Sequence, residues 1–217
     1  MKIGYLSDGD AEISTLPTLL NKTGSPNAIV GIVKTHLQID TLDGNIIAAS
    51  EKGMRQLRAL GADAVVVILD QEKVSECAPG LARRIEGILR SGYGGWFQVI
   101  DVVIKERTFE NWLIGDIEAI EAQPARFQVK NRMKEAVQKG LADRVDALTE
   151  IKQAAVRYDY AKIADARRIA QRANPYKIAI ASRSFRRLLR VHGEPRYLNQ
   201  SHDPETTAVQ NETKKET

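Results

Sequence analysis

The sequence predicts a doubly wound α/β domain on a mainly parallel sheet, followed by a helical, basic C-terminal region. Two observations carry this. Short apolar runs alternate with amphipathic stretches as far as about Ala125, the order expected of repeated β-α units. One of those runs, Ala64–Leu69 (AVVVIL), is apolar throughout, β-branched and ended by Asp70. A strand with no polar face is buried on both sides, as in a parallel sheet covered by helices.

In chain order, Lys2–Ser7 (KIGYLS) reads as a buried strand that turns at Asp8-Gly9. Residues Asp10–Asn21 place Ile13, Leu16, Leu19 and Leu20 on one helical face, with Asp8 or Asp10 as the expected N-cap and Pro17 inside. Ala28–Val33 is a second strand, and Ile46–Leu60 a helix closed by Gly61. After the third strand come a helix over Pro79–Leu89, a strand over Phe97–Ile104 and helical spacing through Phe109–Ile120. Beyond Ala125 the pattern is helical, near Arg132–Leu141, Val145–Val156, Tyr160–Ala173 and Ser182–Val191. Residues 198–217 are polar without an apolar face and are expected to form a disordered tail. The expected organisation is thus an α/β core over 1–125, a basic helical extension packed on it over 126–197, and a tail.

The overall net charge of +4 conceals a division. Residues 1–125 carry 12 Lys+Arg against 17 Asp+Glu, a net of −5, and residues 126–197 carry 18 against 7, a net of +11. An acidic half joined to a basic half suits a metal site beside a polyanion-binding surface, although solvated Lys and Arg on helices give a similar count. No apolar run approaches the roughly 20 residues of a membrane-spanning helix. The N-terminus lacks the features of a secretory signal, and the one cysteine, Cys77, leaves no internal disulfide. A reduced cytoplasmic setting is the expectation.

In an open α/β sheet, functional groups gather at the carboxyl ends of strands. Three predicted strand ends carry acids: Asp8, Asp10 and Glu12; Asp70 and Glu72; Glu106 and then Glu110. Clustered carboxylates are the ligands that hard cations such as Mg²⁺ favour. Each acid also has a bland reading: Asp8, Asp10 and Glu12 as helix-start residues, Asp70 as a turn, Glu106 as a surface partner of Lys105 or Arg107. Three strand ends with the same chemistry favour a site. His36, His192 and His202 are scattered without metal-ligand spacing, and Trp96, Phe109 and Trp112 read as core. On Ser182–Arg190, Arg183, Arg186, Arg187 and Arg190 share one side of a helix opposite Phe185, Leu188 and Leu189. They suit nucleic-acid phosphates, or acidic groups of a partner.

These features resemble the Toprim domain, a compact α/β fold with an acid-Gly motif after its first strand and Asp-x-Asp after a later one. IGYLSDGDAE, GADAVVVILDQE and VVIKERTFENWLIGDIEAI, with YAKIADARRIA and SRSFRRLL, more closely resemble a Toprim-like bacterial family, domain of unknown function family 4276. Its members are small proteins found beside ABC- or SMC-type ATPases in phage-defence loci. The resemblance covers most of Met1 to Leu189. It implies a Toprim-like nuclease, a toxic effector that hydrolyses DNA or RNA and is held or recruited by an ATPase partner. It places catalytic acids at Asp8, Glu12, Asp70, Glu72 and Glu106. Asp8, Asp70 and Glu72 would be the ligands of Mg²⁺ or Mn²⁺.

Two departures stand out: Asp8 where the family has Glu, and Glu72 where it has Asp. They leave open a catalytically silent subunit that binds an ATPase or nucleic acid. A receiver-like phospho-acceptor domain centred on Asp70 is a third reading, weighed against for want of a Lys at a later strand end. The oligomeric state is open, with a homo-oligomer among the expectations.

Overall fold

The computed structural model describes residues 1–71, 76–138, 140 and 142–198. Four strands, β1 (Lys2–Ser7), β2 (Ala28–Lys34), β3 (Ala64–Asp70) and β4 (Val99–Lys105), form one parallel sheet in the order β2-β1-β3-β4. Helices α1 (Asp10–Leu20), α2 (Asp43–Ala59) and α3 (Ala78–Tyr93) make the crossovers. The α/β expectation therefore holds, and the continuous apolar β3 sits in the sheet interior, as its composition requires.

The sheet separates two cores. On one face Ile3 and Tyr5 of β1, Val66 and Ile68 of β3 and Val103 of β4 meet Leu16, Leu19 and Leu20 of α1. On the other, Leu6, Val65, Val67, Leu69, Val102 and Ile104 meet α2 and α3 through Met54, Leu57, Leu81 and Ile85. Alternation along each strand thus fixes which side every strand-end residue faces. Ser7, Asp70 and Lys105 follow the α1 side.

The C-terminal part is helical: α4 (Glu110–Leu113), α5 (Ile117–Glu121), α6 (Asn131–Gln138), α7 (Ala147–Ala154), α8 (Lys162–Arg172), α9 (Pro175–Ala181) and α10 (Arg183–His192), then a 3₁₀ turn at Pro195–Tyr197. Its apolar residues, including Ile151, Ile169, Ile178, Phe185 and Leu188, join the α1-side core. The last helix is tied to the first strand by a 2.6 Å hydrogen bond between the Tyr5 hydroxyl and His192 Nδ1. Burial pushes His192 down to about 4 and Tyr5 upward, so this buried pair is neutral.

Two local expectations are corrected. The helix expected over Phe109–Ile120 is two helices, broken at Gly115. A Cβ there would press on the Ile178 backbone of α9, and Asp116 starts α5 anew by capping Ala119 N while accepting from Asn174 N at 2.7 Å. Helix α9 lacked a long apolar period and was not foreseen; Asn174 caps it and Pro175 opens it. The expected tail, apart from Leu198, lies outside the described residues; among the described residues, no helix is long and apolar enough to cross a membrane.

Arg126 holds the extension together. Its guanidinium pairs with buried Asp165 (3.0 and 2.5 Å) and donates to the carbonyls of Val156, Tyr158 and Asp159. Removing it takes from buried Asp165 its two-pronged partner, leaving Ala161 N and Arg168, and takes the donor from three carbonyls. Arg126→Ala is expected to cost about 3–5 kcal/mol, lowering the melting temperature by about 6–20 °C for a chain of this size. A thermal melt equal to wild type would contradict this role.

Candidate metal centre

The strand order reverses between the parallel strands β1 and β3: β2 is added on one side of β1, and β3 and β4 on the other. The crevice at the carboxyl ends of two such strands is where open α/β sheets bind ligands. Here it holds Ser7 and Asp8 from β1, Glu12 from the first turn of α1, Asp70 from β3 and Lys105 from β4.

Helix α1 is capped by neither expected aspartate. Its N-cap is Gly9, with no side-chain cap bond. Asp10 turns outward to pair with Lys34 at 2.8 Å, which leaves Asp8 facing the crevice. Gly9 is needed because a Cβ at this position would overlap the Glu12 carboxylate. The chain therefore passes close over a buried acid that shares a helical face with Leu16, Leu19 and Leu20.

One carboxylate oxygen from each of Asp8, Glu12 and Asp70 can be chosen so that all lie within 4.8 Å of one another. Lys105 enters among them. Its Nζ lies 2.7 Å from Asp70 Oδ1 and 3.9 Å from Asp8 Oδ1, and donates a hydrogen bond to Glu12 Oε1. Its stem runs past Phe109 and Trp112, with the ammonium about 6 Å from each ring. Burial alone would lower the Lys105 pKa, but the three carboxylates outweigh it and hold the amine protonated.

The acids respond in the opposite sense. Burial pushes the Asp70 carboxyl up to about 6 despite Lys105, and burial likewise raises Asp8. Among the described residues three carboxylates stand against one ammonium, a formal net charge of −2 when all are ionised. Several polar atoms there lack hydrogen-bond partners: Ser7 Oγ, Asp8 Oδ1, Glu12 Oε2, and also Asp70 Oδ1, whose approach to Lys105 is an ion-pair contact without hydrogen-bond alignment. Such acceptors are costly to bury unmet. A divalent cation would supply what they lack in both charge and coordination.

A raised carboxylate pKa has a defined consequence for stability. Between the unfolded value near 3.8 and about 6, the folded state binds more protons at Asp70 than the unfolded one, so this group's contribution falls as pH rises through that window. In EDTA, Asp70→Asn is therefore expected to gain stability relative to wild type at pH 8 compared with pH 5. Thermal melts of both proteins at the two pH values check this. A difference that does not change with pH would contradict the raised value.

Of the other expected site residues, Glu72 lies outside the described residues. Glu106 is not part of the cluster: it follows Lys105 on the opposite side of β4, near Asp143, Arg183 and Arg144. Burial and Asp143 raise its pKa. Glu110 is fully buried, with Oε1 accepting from the Tyr160 hydroxyl at 3.4 Å and Oε2 unmet. Among the arginines, Arg186 donates to the carbonyls of Ala179 and Ile180, and Arg187 to Val102 O and Glu86, so both brace α10.

Lys105 was missed as a site residue because Glu106 and Arg107 beside it suggested a surface run. It also corrects the argument that no lysine stands at a later strand end. The signal that could have found it is the period-two register of β4, which puts residue 105 on the same side as buried Val103.

A family model described as Domain of unknown function (DUF4276) matches residues 9–191. The chain belongs to this family. The match takes in Glu12, Asp70 and Lys105, and all four arginines of α10. No curated protein and no solved structure matches the chain.

Proposed function

We propose that this DUF4276 protein is a Toprim-like, metal-dependent nuclease whose centre is Asp8, Glu12 and Asp70. The observation that carries the reading is the set of buried, unmet carboxylate oxygens at the switch point of the sheet, with a charge deficit a divalent cation would fill. Mg²⁺ or Mn²⁺ is the expected ion for an all-oxygen set. Such an ion polarises a phosphate and makes a bound water more acidic. The chain's own part is positional. Lys105 fixes the Glu12 and Asp70 carboxylates, and Gly9 lets Glu12 approach the β1 turn. The family resemblance supplies the rest of the proposal: a toxic effector in phage defence, acting on DNA or RNA, with an ABC- or SMC-type ATPase as partner. The test is cleavage of plasmid DNA and RNA by purified protein with Mg²⁺ or Mn²⁺, expected to be lost in EDTA. Absence of cleavage by wild type, with or without the ATPase, would leave the alternative of a catalytically silent binding subunit.

A second reading is favoured by one specific observation, the contact between Lys105 and Asp70. A lysine against a central strand-end aspartate, with further acids beside it, also suits phospho-acceptor chemistry on Asp70. Incubation with acetyl phosphate and Mg²⁺ separates the two. A mass increase of one phosphoryl group, absent in Asp70→Asn, favours the acceptor; unchanged mass with cleavage favours the nuclease.

A further inference from the structure

Beside β4 the sheet edge is not left bare. Val102 N donates to Glu86, Val102 O accepts from Arg187, and Ile100 O accepts from Arg90. Ile104, two residues on, presents its backbone on the same edge, and there a cleft of about 290 Å³ opens between the start of α3 and helix α10. Among the described residues its charged lining is Arg183, Arg186, Arg187 and Arg190 against the carboxylate of Glu106. Two of these arginines brace α10. The side chains of the other two, Arg183 and Arg190, make no hydrogen bond among the described residues, with Glu106 and Asp101 as their nearby acids.

Arg183 and Arg190 are seven residues apart, two turns along one helix face and about 10 Å apart. That separation exceeds what one phosphate can bridge, so the pair fits a ligand with two or more phosphates. A second cleft, of about 680 Å³, meets the first at Glu106 and sets Arg107 and Arg144 against the carboxylates of Glu106, Asp143 and Asp146. It reaches Gln71, the residue after Asp70. Glu106, whose carboxyl pKa is raised by burial and by Asp143, has Arg183 in the first cleft and Arg144 in the second as its nearby cations. The open-ended course, basic along α10 and mixed in charge toward the residue beside the acid centre, suits an extended chain better than a compact nucleotide.

We propose that this trench is the track of a single nucleic-acid strand, in which Arg183 and Arg190 hold successive backbone phosphates upstream or downstream of the scissile one. The inference rests on the nuclease reading for its direction toward Asp70, but the binding surface is testable without cleavage. The experiment is fluorescence anisotropy of a fluorescein-labelled single-stranded oligonucleotide, as DNA and as RNA, titrated with the full chain in EDTA over a series of KCl concentrations. The double variant Arg183→Glu, Arg190→Glu is expected to bind at least about tenfold more weakly. With about 0.7 of salt slope per phosphate contact on a single strand, its log K against log salt should flatten by about 1.4.

Lysine at both positions is expected to restore most of the binding, since charge and not structure is what is lost. If the double variant does not fold, Arg183→Ala alone, at an exposed position, retains the test with about half the change in slope. Equal affinity and slope in variant and wild type, no binding by wild type, or full displacement by equimolar ATP would each overturn the proposal. The two readings fail separately. Arginine-dependent binding in a chain that cleaves nothing with Mg²⁺ or Mn²⁺ keeps the track and removes the nuclease. Cleavage that depends on Asp70 but is indifferent to both arginines does the reverse.

Discussion

Asp70→Ala is expected to lower metal-dependent cleavage by about a thousandfold or more while leaving the fold intact. Losing a single pre-positioned charge-stabilising group commonly costs about 10²–10³ in rate, and here the same carboxylate would also be a metal ligand. Asp70 stands at the carboxyl end of an interior strand, so its position is fixed by the sheet and not by a loop. Removing it withdraws one of three acids from the cluster but leaves Lys105 paired with Glu12, so no buried ammonium is stranded. Asp10→Ala is the matched control: an acid from the same β1–α1 turn that faces solvent and pairs with Lys34. Its cleavage rate should equal wild type. Equal loss in both variants, or in neither, would contradict the assignment.

Lys105→Met is expected to affect stability as strongly as Arg126→Ala. It removes the cation that, among the described residues, lies between the three carboxylates, in a site where Lys105 itself is 1 % exposed. Breaking a buried ion pair by deleting one partner costs about 3–5 kcal/mol, and methionine keeps much of the stem's packing against Phe109 and Trp112. In EDTA at pH 8 the melting temperature should fall by about 6–20 °C. The deficit should shrink in two ways that ordinary core damage would not allow. Acidification should restore stability by protonating Asp8 and Asp70, whose pKa values burial already raises. Mn²⁺ or Mg²⁺ should restore it by replacing the missing positive charge. A loss of stability indifferent to both pH and metal would show that the lysine acts through packing alone.

Much of the core and part of the site were legible in the sequence, for identifiable reasons. AVVVIL marked an interior strand because nothing else needs so many consecutive β-branched residues, and Asp70 at its end followed directly. Asp8 was legible from the turn after KIGYLS, though not the fact that Gly9, and not an aspartate, would cap the helix. Glu12 could have been placed inward from its spacing to Leu16, Leu19 and Leu20, which makes it the polar member of an apolar face.

Lys105 was harder. Its neighbours are charged, and only the strand register decides that 105 faces α1 while 106 faces the arginines. The arginines of α10 were correctly grouped on one helical face, yet sequence could not divide them into Arg186 and Arg187, which bind the protein's own carbonyls, and Arg183 and Arg190, which do not. That division depends on tertiary placement: the end of α9 lies within reach of Arg186, and the β4 edge within reach of Arg187.

The central claim is that Asp8, Glu12 and Asp70 form a divalent-cation site. Mn²⁺ binding followed by electron paramagnetic resonance tests it most directly, because it needs no substrate, partner or activating signal. Wild type is expected to take up Mn²⁺ in a form competed by Mg²⁺, with uptake lost in Asp70→Ala and retained in Asp10→Ala. Wild type that takes up no Mn²⁺, or Asp70→Ala that binds it as tightly as wild type, would contradict the site.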